Sequence, residues 1–299
     1  MLPVREEIRG PGAIETMADY LDLTKARLSL TVVLSGVVGY WLGGSFIDPA
    51  HLLSFTLGTL LLVAGANAFN QVLEREPDAR MRRTAQRPIP AGRISAAEAS
   101  LAAALASLLG LILLFAESGP LSGSLGALAL AIYVLVYTPM KRCSSWSTLA
   151  GAVSGAMPTL MGYSAAADTL APPAWCLFGI LFFWQFPHTW AIAATYREDF
   201  ERVGNRALPG RAVAAGTLVT TGALLLTSLL PSLWGDAGPV YTVGATVLGA
   251  VFLVSAVRFG NGTRRARATA LLATSLLYLP LILALFAFGA LGAFGGGGY

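Results

Sequence analysis

Glu98 to Thr138 read EASLAAALASLLGLILLFAESGPLSGSLGALALAIYVLVYT. Between the opening glutamate and the closing threonine, the one charged residue is Glu117, which stands directly before Ser118-Gly119-Pro120. Two apolar runs of about 20 residues therefore meet at a break, and each is long enough as a helix to cross a hydrocarbon core of about 30 Å. The rest of the chain repeats this pattern. Apolar segments near 28–47, 52–73, 98–116, 121–138, 147–166, 174–195, 211–231, 239–257 and 268–290 are separated by Asp48-Pro49, Pro88-Ile89-Pro90-Ala91-Gly92, Gly119-Pro120, Pro172-Pro173, Pro209-Gly210 and Gly238-Pro239. The expected fold is an all-α integral membrane protein with nine transmembrane helices. Composition agrees: 55% of the 299 residues are hydrophobic and 12% charged, against about 25% charged in a soluble domain.

Charge placement tests the layout independently. With nine spans, the N-terminus and the loops after spans 2, 4, 6 and 8 share one side. All 20 lysines and arginines fall there, from Arg5 and Arg9 through Lys25, Arg27, the Arg75–Arg93 cluster, Lys141 and Arg142 to Arg267. The opposite loops hold Asp48, Glu117, Asp168 and Asp236. The positive-inside rule sets the basic side in the cytoplasm. Residues 1–24 mix acids and bases, without the apolar core and cleavage site of a leader. Ile14, Met17 and Leu21 at helical spacing predict an interfacial helix within that stretch, although a frayed soluble tail fits the composition as well. Residues 25–290 form the membrane domain and 291–299 a flexible Gly-rich tail. Two cysteines, Cys143 and Cys176, and two histidines, His51 and His188, exclude a disulfide framework and a multi-histidine metal site.

Two polar regions carry chemistry. In the loop after span 2, Asn70, Glu74 and Asp78 are spaced by four and stack along one helix face, with Pro77 expected to loosen the helix near the end of that row. An amide and two carboxylates in a line form a hard-oxygen site suited to Mg²⁺ bound with substrate phosphates. Arg82, Arg83 and Arg87 follow, suited to bidentate phosphate binding. The plainer reading is a set of juxtamembrane surface ion pairs, each worth under about 1 kcal/mol. The second region is Phe183-Trp184-Gln185-Phe186-Pro187-His188-Thr189-Trp190, followed by Arg197-Glu198-Asp199. Gln185 and His188 lie inside a span, where polar groups face a cavity or the bundle interior. The stripe His188, Ile192, Thr195, Asp199 sets the histidine below the carboxylate on one helix face. Ordinary interhelical hydrogen bonding with an interfacial tryptophan belt explains the same residues. At Tyr137-Thr138-Pro139-Met140-Lys141-Arg142, and at Lys25 and Arg27, snorkelling bases are the simplest account.

At these residues the chain resembles the intramembrane prenyltransferases of the UbiA superfamily, and within it the branch that farnesylates heme. The first loop resembles the Asn-x3-Asp-x3-Asp motif, with Glu74 at the middle position. It then continues as Asp78-x-x-Met81-x-Arg83-Thr84-x-x-Arg87-Pro88. Tyr137 to Arg142, Gly155-Ala156-Met157-Pro158, and Trp184-Gln185-Phe186-Pro187-His188 with Arg197-Glu198-Asp199 are similar to that branch too. Ala26 and Ser147 depart from it. The resemblance implies a bundle around a central cavity open to the cytoplasmic side, with farnesyl diphosphate and heme b as substrates in a plasma membrane. It further implies Mg²⁺ held by Asn70, Glu74, Asp78 and Asp199. Arg82, Arg83, Arg87, Lys141 and Arg142 would face the diphosphate, while Arg27, Gln185, His188 and Arg197 would bind substrate, His188 touching heme through its iron or a propionate. Membrane lipid is the surrounding partner and no nucleic acid is expected; whether a downstream heme-modifying enzyme docks stays open. The rivals are a related prenyltransferase acting on an aromatic acid or quinone precursor, and a non-catalytic membrane transporter.

Overall fold

The structure, a computed structural model, describes residues 13–44, 48–141, 144, 146–203, 210–234, 237–261 and 265–295. Among them the chain is helical: α1 Ala13–Leu23, α2 Ala26–Gly43, α3 Pro49–Arg80, α4 Ala96–Glu117, α5 Gly119–Met140, α6 Ser147–Ala167, α7 Pro172–Thr195, α8 Arg197–Arg202, α9 Gly210–Leu233, α10 Pro239–Gly260 and α11 Arg265–Gly295. The breaks seen in the sequence do their work locally. Asp48 caps α3, its Oδ1 accepting from the Ala50 amide at 2.9 Å, with Pro49 in the first turn where a missing N–H costs nothing. Ser95 caps α4 by accepting from the Glu98 amide at 3.1 Å. Gly119 turns the chain between α4 and α5 at φ 87°, a conformation that favours glycine.

Eight of these helices, α2 to α5, α7 and α9 to α11, are long and apolar enough to span a membrane. The remaining long helix, α6, falls on the segment 147–166. Its glycines, alanines, serines and threonines make it less apolar than the others and fit it to a crowded interior: Ala152, Ser154 and the run from Ala156 to Ala165 are buried. Small residues let backbones approach closely without a hydrophobic driving force. A Cβ added at Gly162 would collide with the carbonyl oxygen of Gly36 on α2, and one at Gly39 with the carbonyl of Thr159 on α6. Around that seam α2 to α6 form one group, and α7, α9, α10 and α11 form another. The two groups join chiefly through α6 against α7, with a lighter contact of α2 on α11. Leucines and valines such as Leu101, Leu108, Val219, Leu226, Val240 and Val243 lie on the outside, the surface that lipid would cover.

Two boundaries and one expected helical stripe differ from the sequence expectation. The second apolar segment does not end near residue 73; α3 continues through Pro77 to Arg80, beyond the apolar stretch, so the whole Asn70–Asp78 row is helical. In a helix this long, one proline removes a single backbone donor, and the flanking turns persist. By contrast α7 stops at Thr195, and Tyr196 (φ −109°, ψ 33°) turns the chain before α8. The continuous His188-to-Asp199 stripe is therefore broken. Finally, α11 runs to Gly295, past residue 290; residues 296–299 and 1–12 lie outside the described residues.

Candidate active site

The polar residues of α3 form a row that three other segments approach. Asn67, Asn70 and Asp78 are buried. Deepest, the Asn67 amide donates to Ser29 Oγ on α2 at 3.1 Å, and Tyr133 on α5 donates to Asn67 Oδ1 at 3.3 Å. One turn on, Asn70 Nδ2 donates to Glu74 Oε2 at 2.9 Å and to Thr138 Oγ1 at 3.2 Å, while Lys25 Nζ donates to Asn70 Oδ1 at 2.7 Å. Lys141 pairs with Glu74 at 3.0 Å. Arg87 reaches back to Asp78 Oδ2 at 2.5 Å. Asn70, Glu74 and Asp78 thus each accept from a base of their own, and each base comes from a different part of the chain.

Local structure explains how each base arrives. Residues Ile132 to Tyr137 of α5 are π-helical, and the Thr138 amide reaches the Tyr133 carbonyl. Such turns recur at functional sites because they re-aim side chains; here the turn sets Tyr133, Thr138 and Lys141 against successive positions of α3. Between α1 and α2, Lys25 takes a left-handed backbone (φ 49°). Gln71 Nε2 secures that junction by donating to the carbonyls of Asp22 and Leu23 at 2.7 and 2.9 Å. Arg87 sits in a folded loop: Thr84 Oγ1 donates to the Asp78 carbonyl at 2.9 Å, and Arg93 bonds Asp19 at 2.7 Å and the Gln86 carbonyl at 3.0 Å. Ile89 and Ile94 pack with Leu23 and Ala68. Gly92 turns at φ 75°.

Burial pushes the Lys25 ammonium down to about 7, with repulsion from Arg87 and Lys141 adding to it. Burial also works against the charge on Lys141, but Tyr137 and Glu74 outweigh it and hold its pKa above the usual lysine range. The Lys141 ammonium lies 4.5 Å from the centre of the Tyr137 ring, close enough for a cation–π contact.

Asp199 does not join this row. Among the described residues no three histidine, cysteine, aspartate or glutamate side chains come close enough to hold an ion together. The Asp199 oxygens instead accept from the backbone amides of Arg82 at 3.1 Å and Arg83 at 3.3 Å. The four-ligand set expected from sequence is therefore not assembled in this arrangement, because the turn at Tyr196 carries Asp199 onto the 82–83 backbone. Arg27 and Arg197 are also not brought in. Arg27, two residues past Lys25, is exposed, and Arg197 pairs with Glu201 at 2.6 Å on the surface. Arg82 and Arg83 lie exposed near Asp199, with the Arg83 guanidinium 5.4 Å from the Tyr196 ring centre. Arg142 lies outside the described residues.

Deeper in the bundle, Gln185 donates to the Ala152 carbonyl at 3.2 Å, facing Gly155 of α6. His188 stacks on Trp184 with centroids 4.4 Å apart and meets Ser275 of α11 at 2.8 Å. Phe178, Phe182, Phe186 and Trp190 succeed one another along α7 at centroid spacings of 5.3 to 6.0 Å. Asn67, Tyr133 and Ser275 are residues that sequence reading did not single out, and Lys25 it read as a snorkelling base.

Comparison with known proteins identifies the architecture. The model of the UbiA prenyltransferase family matches residues 32–279. The chain belongs to this family. Within the UbiA prenyltransferase family, it is 44% identical over 279 residues to the protoheme IX farnesyltransferase of Opitutus terrae, covering 91% of this chain and 95% of that one. It is 42% identical over 281 residues to that of Solibacter usitatus, covering 89% and 96%. Among solved UbiA-type folds, a digeranylgeranylglyceryl phosphate synthase superposes with a TM-score of 0.79 at 19% identity, covering 93% of this chain and 99% of that one. A UbiA homolog from Archaeoglobus fulgidus bound to GPP and Mg²⁺ superposes with a TM-score of 0.65 at 16% identity, covering 90% and 99%. At these identities the likeness concerns the fold.

Proposed function

We propose that this chain transfers a farnesyl group from farnesyl diphosphate to the 2-vinyl group of heme b, giving heme o with release of diphosphate. The observation that carries this reading is the row Asn70, Glu74 and Asp78, each residue held by one base, Lys25, Lys141 and Arg87. Relatives over 40% identical that are named for this reaction support the choice of acceptor. In the reaction the allylic C–O bond breaks and its electron pair leaves with the diphosphate. The vinyl π pair closes a C–C bond onto the allylic carbon. Water then adds to the cation left beside the ring and loses a proton, which leaves the hydroxyl.

The donor set fits a magnesium–diphosphate complex. The amide and carboxylate oxygens of Asn70, Glu74 and Asp78 are hard ligands of the kind Mg²⁺ prefers. Three bases face two carboxylates, so the cluster holds one positive charge in excess when Lys25 is protonated. A prenyl diphosphate trianion with one Mg²⁺ would bring one net negative charge, which that excess would offset. Mg²⁺ would neutralise charge on the leaving diphosphate. Lys25, Lys141 and Arg87 would turn from the α3 oxygens to the phosphate oxygens, where they stabilise the charge that develops as the C–O bond breaks. Arg82 and Arg83 would extend that field. The stacked aromatic rings of α7 suit an isoprenoid chain and its cation. We further propose that α6 is a ninth span, that the basic loops face the cytoplasm, and that the cavity opens to that side of a plasma membrane.

Membranes containing the protein, incubated with heme b, farnesyl diphosphate and Mg²⁺, test the reading by mass analysis of extracted hemes. A heme heavier by one farnesyl group and one hydroxyl group, with diphosphate released in step, is the expected result. Unchanged heme, with farnesyl appearing on an added aromatic acid instead, would overturn it.

A further inference from the structure

We infer that Ser275 fixes the tautomer of His188 and leaves its Nε2 as a lone-pair donor to the iron of heme b. The inference rests on the reading that heme is the acceptor, and it distinguishes between iron and a propionate as the group His188 meets. Ser275 is fully buried on α11. Its hydroxyl lies 2.7 Å from the Leu272 carbonyl and 2.8 Å from His188 Nδ1. A carbonyl can only accept, so the single hydroxyl proton points at Leu272. Towards His188 the serine offers a lone pair, and Nδ1 must bring the proton. In a neutral imidazole Nε2 then carries no hydrogen. It cannot donate to a propionate, but it is the form that ligates a metal.

The rest of the setting holds that ring still. Trp184 stacks on the imidazole with 18° between planes, and its own indole N–H donates to the Ser275 backbone carbonyl at 2.8 Å. One serine therefore anchors both rings, its hydroxyl taking the histidine and its carbonyl the tryptophan. Among the described residues, Nδ1 is the imidazole nitrogen that makes a hydrogen bond. The side chain is only half-buried, which leaves room for a ligand to approach Nε2. Groups that orient a metal-binding histidine in this way change metal affinity or activity about 10- to 100-fold when removed. Ser275 is thus a positioning residue.

The test is resonance Raman spectroscopy of the purified full-length protein titrated with ferrous heme b, reading the iron–imidazole stretch. The native chain should show the line. His188→Ala should lose it, bind heme at least about 10-fold more weakly, and regain the line when free imidazole is added. Ser275→Ala should shift or weaken the line, and Ser275→Thr, which keeps the hydroxyl, should restore it. No line in the native protein, an unchanged line in His188→Ala, or a Ser275→Ala spectrum identical to native would overturn the inference. Heme o formed by a protein that lacks the line removes the inference and leaves the reaction standing. An intact line without heme o formation removes the reaction alone.

Discussion

Asp199 holds Arg82 by its backbone: the carboxylate accepts the Arg82 amide at 3.1 Å and its second oxygen takes the Arg83 amide at 3.3 Å, across more than a hundred positions of sequence. The carboxylate thus takes up the two backbone donors, while the Arg83 guanidinium lies 5.4 Å from the Tyr196 ring centre. Asp199→Ala strands two backbone donors, each at a cost of about 1–3 kcal/mol where water cannot replace the partner. The expected outcome is faster proteolytic cutting within residues 80–88 and at least about a 10-fold higher KM for farnesyl diphosphate. An unaltered cleavage pattern with unaltered KM would show that the loop does not depend on this link.

Lys25 is the base that meets Asn70, while Arg27 two residues on is exposed. Hydrogen bonds to charged groups contribute about 1.5–3 kcal/mol, so Lys25→Met should weaken farnesyl diphosphate binding by about 10- to 100-fold. Arg27→Met should change it by less than about twofold, as expected for a surface charge. Isothermal titration with a non-hydrolysable farnesyl diphosphate analogue in the presence of Mg²⁺ reads both. Equal losses would mean that the two bases share the role.

Glu74 pairs with Lys141 at 3.0 Å and accepts from Asn70 at 2.9 Å. Glu74→Gln keeps the size and removes the charge; kcat should fall by about 100-fold, the scale of one lost electrostatic contact in an active site. Glu74→Asp keeps the charge one methylene shorter, and should retain activity within about 10-fold, because Lys141 has a flexible stem. Diphosphate release rates separate the two, and a Glu74→Gln enzyme as fast as native would remove Glu74 from the site.

The eight apolar spans and the Asn70–Asp78 row were legible because both are local patterns: hydropathy over a window, and i, i+4 spacing. The correspondence of bases to acids was not. Nothing in the neighbourhood of Lys25 distinguishes it from a snorkelling lysine until the left-handed turn and Gln71 aim it at α3. The π-helical turn in α5 shifts register by an amount hydropathy does not record. Reading Asp199 on one helical stripe with His188 failed for the opposite reason: periodicity was carried across a break at Tyr196 that no glycine or proline announces.

The glycine seam between α2 and α6 has a measurable tolerance. Gly162→Ala would drive a methyl group into the Gly36 carbonyl, whereas a Cβ at Gly222 meets nothing within 4 Å. Overpacking of this kind costs about 1–3 kcal/mol. Gly162→Ala should lower the unfolding midpoint in detergent by several degrees and Gly222→Ala should leave it unchanged; a native midpoint for Gly162→Ala would mean that the two helices can part.

Backbone-to-backbone contact at that seam makes α2 and α6 a single rigid plank. If the proposed porphyrin acceptor enters by parting the two groups of helices, the light contact between α2 and α11 is the joint that would give. A covalent staple joining α2 to α11 should slow heme loading, while one joining α2 to α6 should go unnoticed.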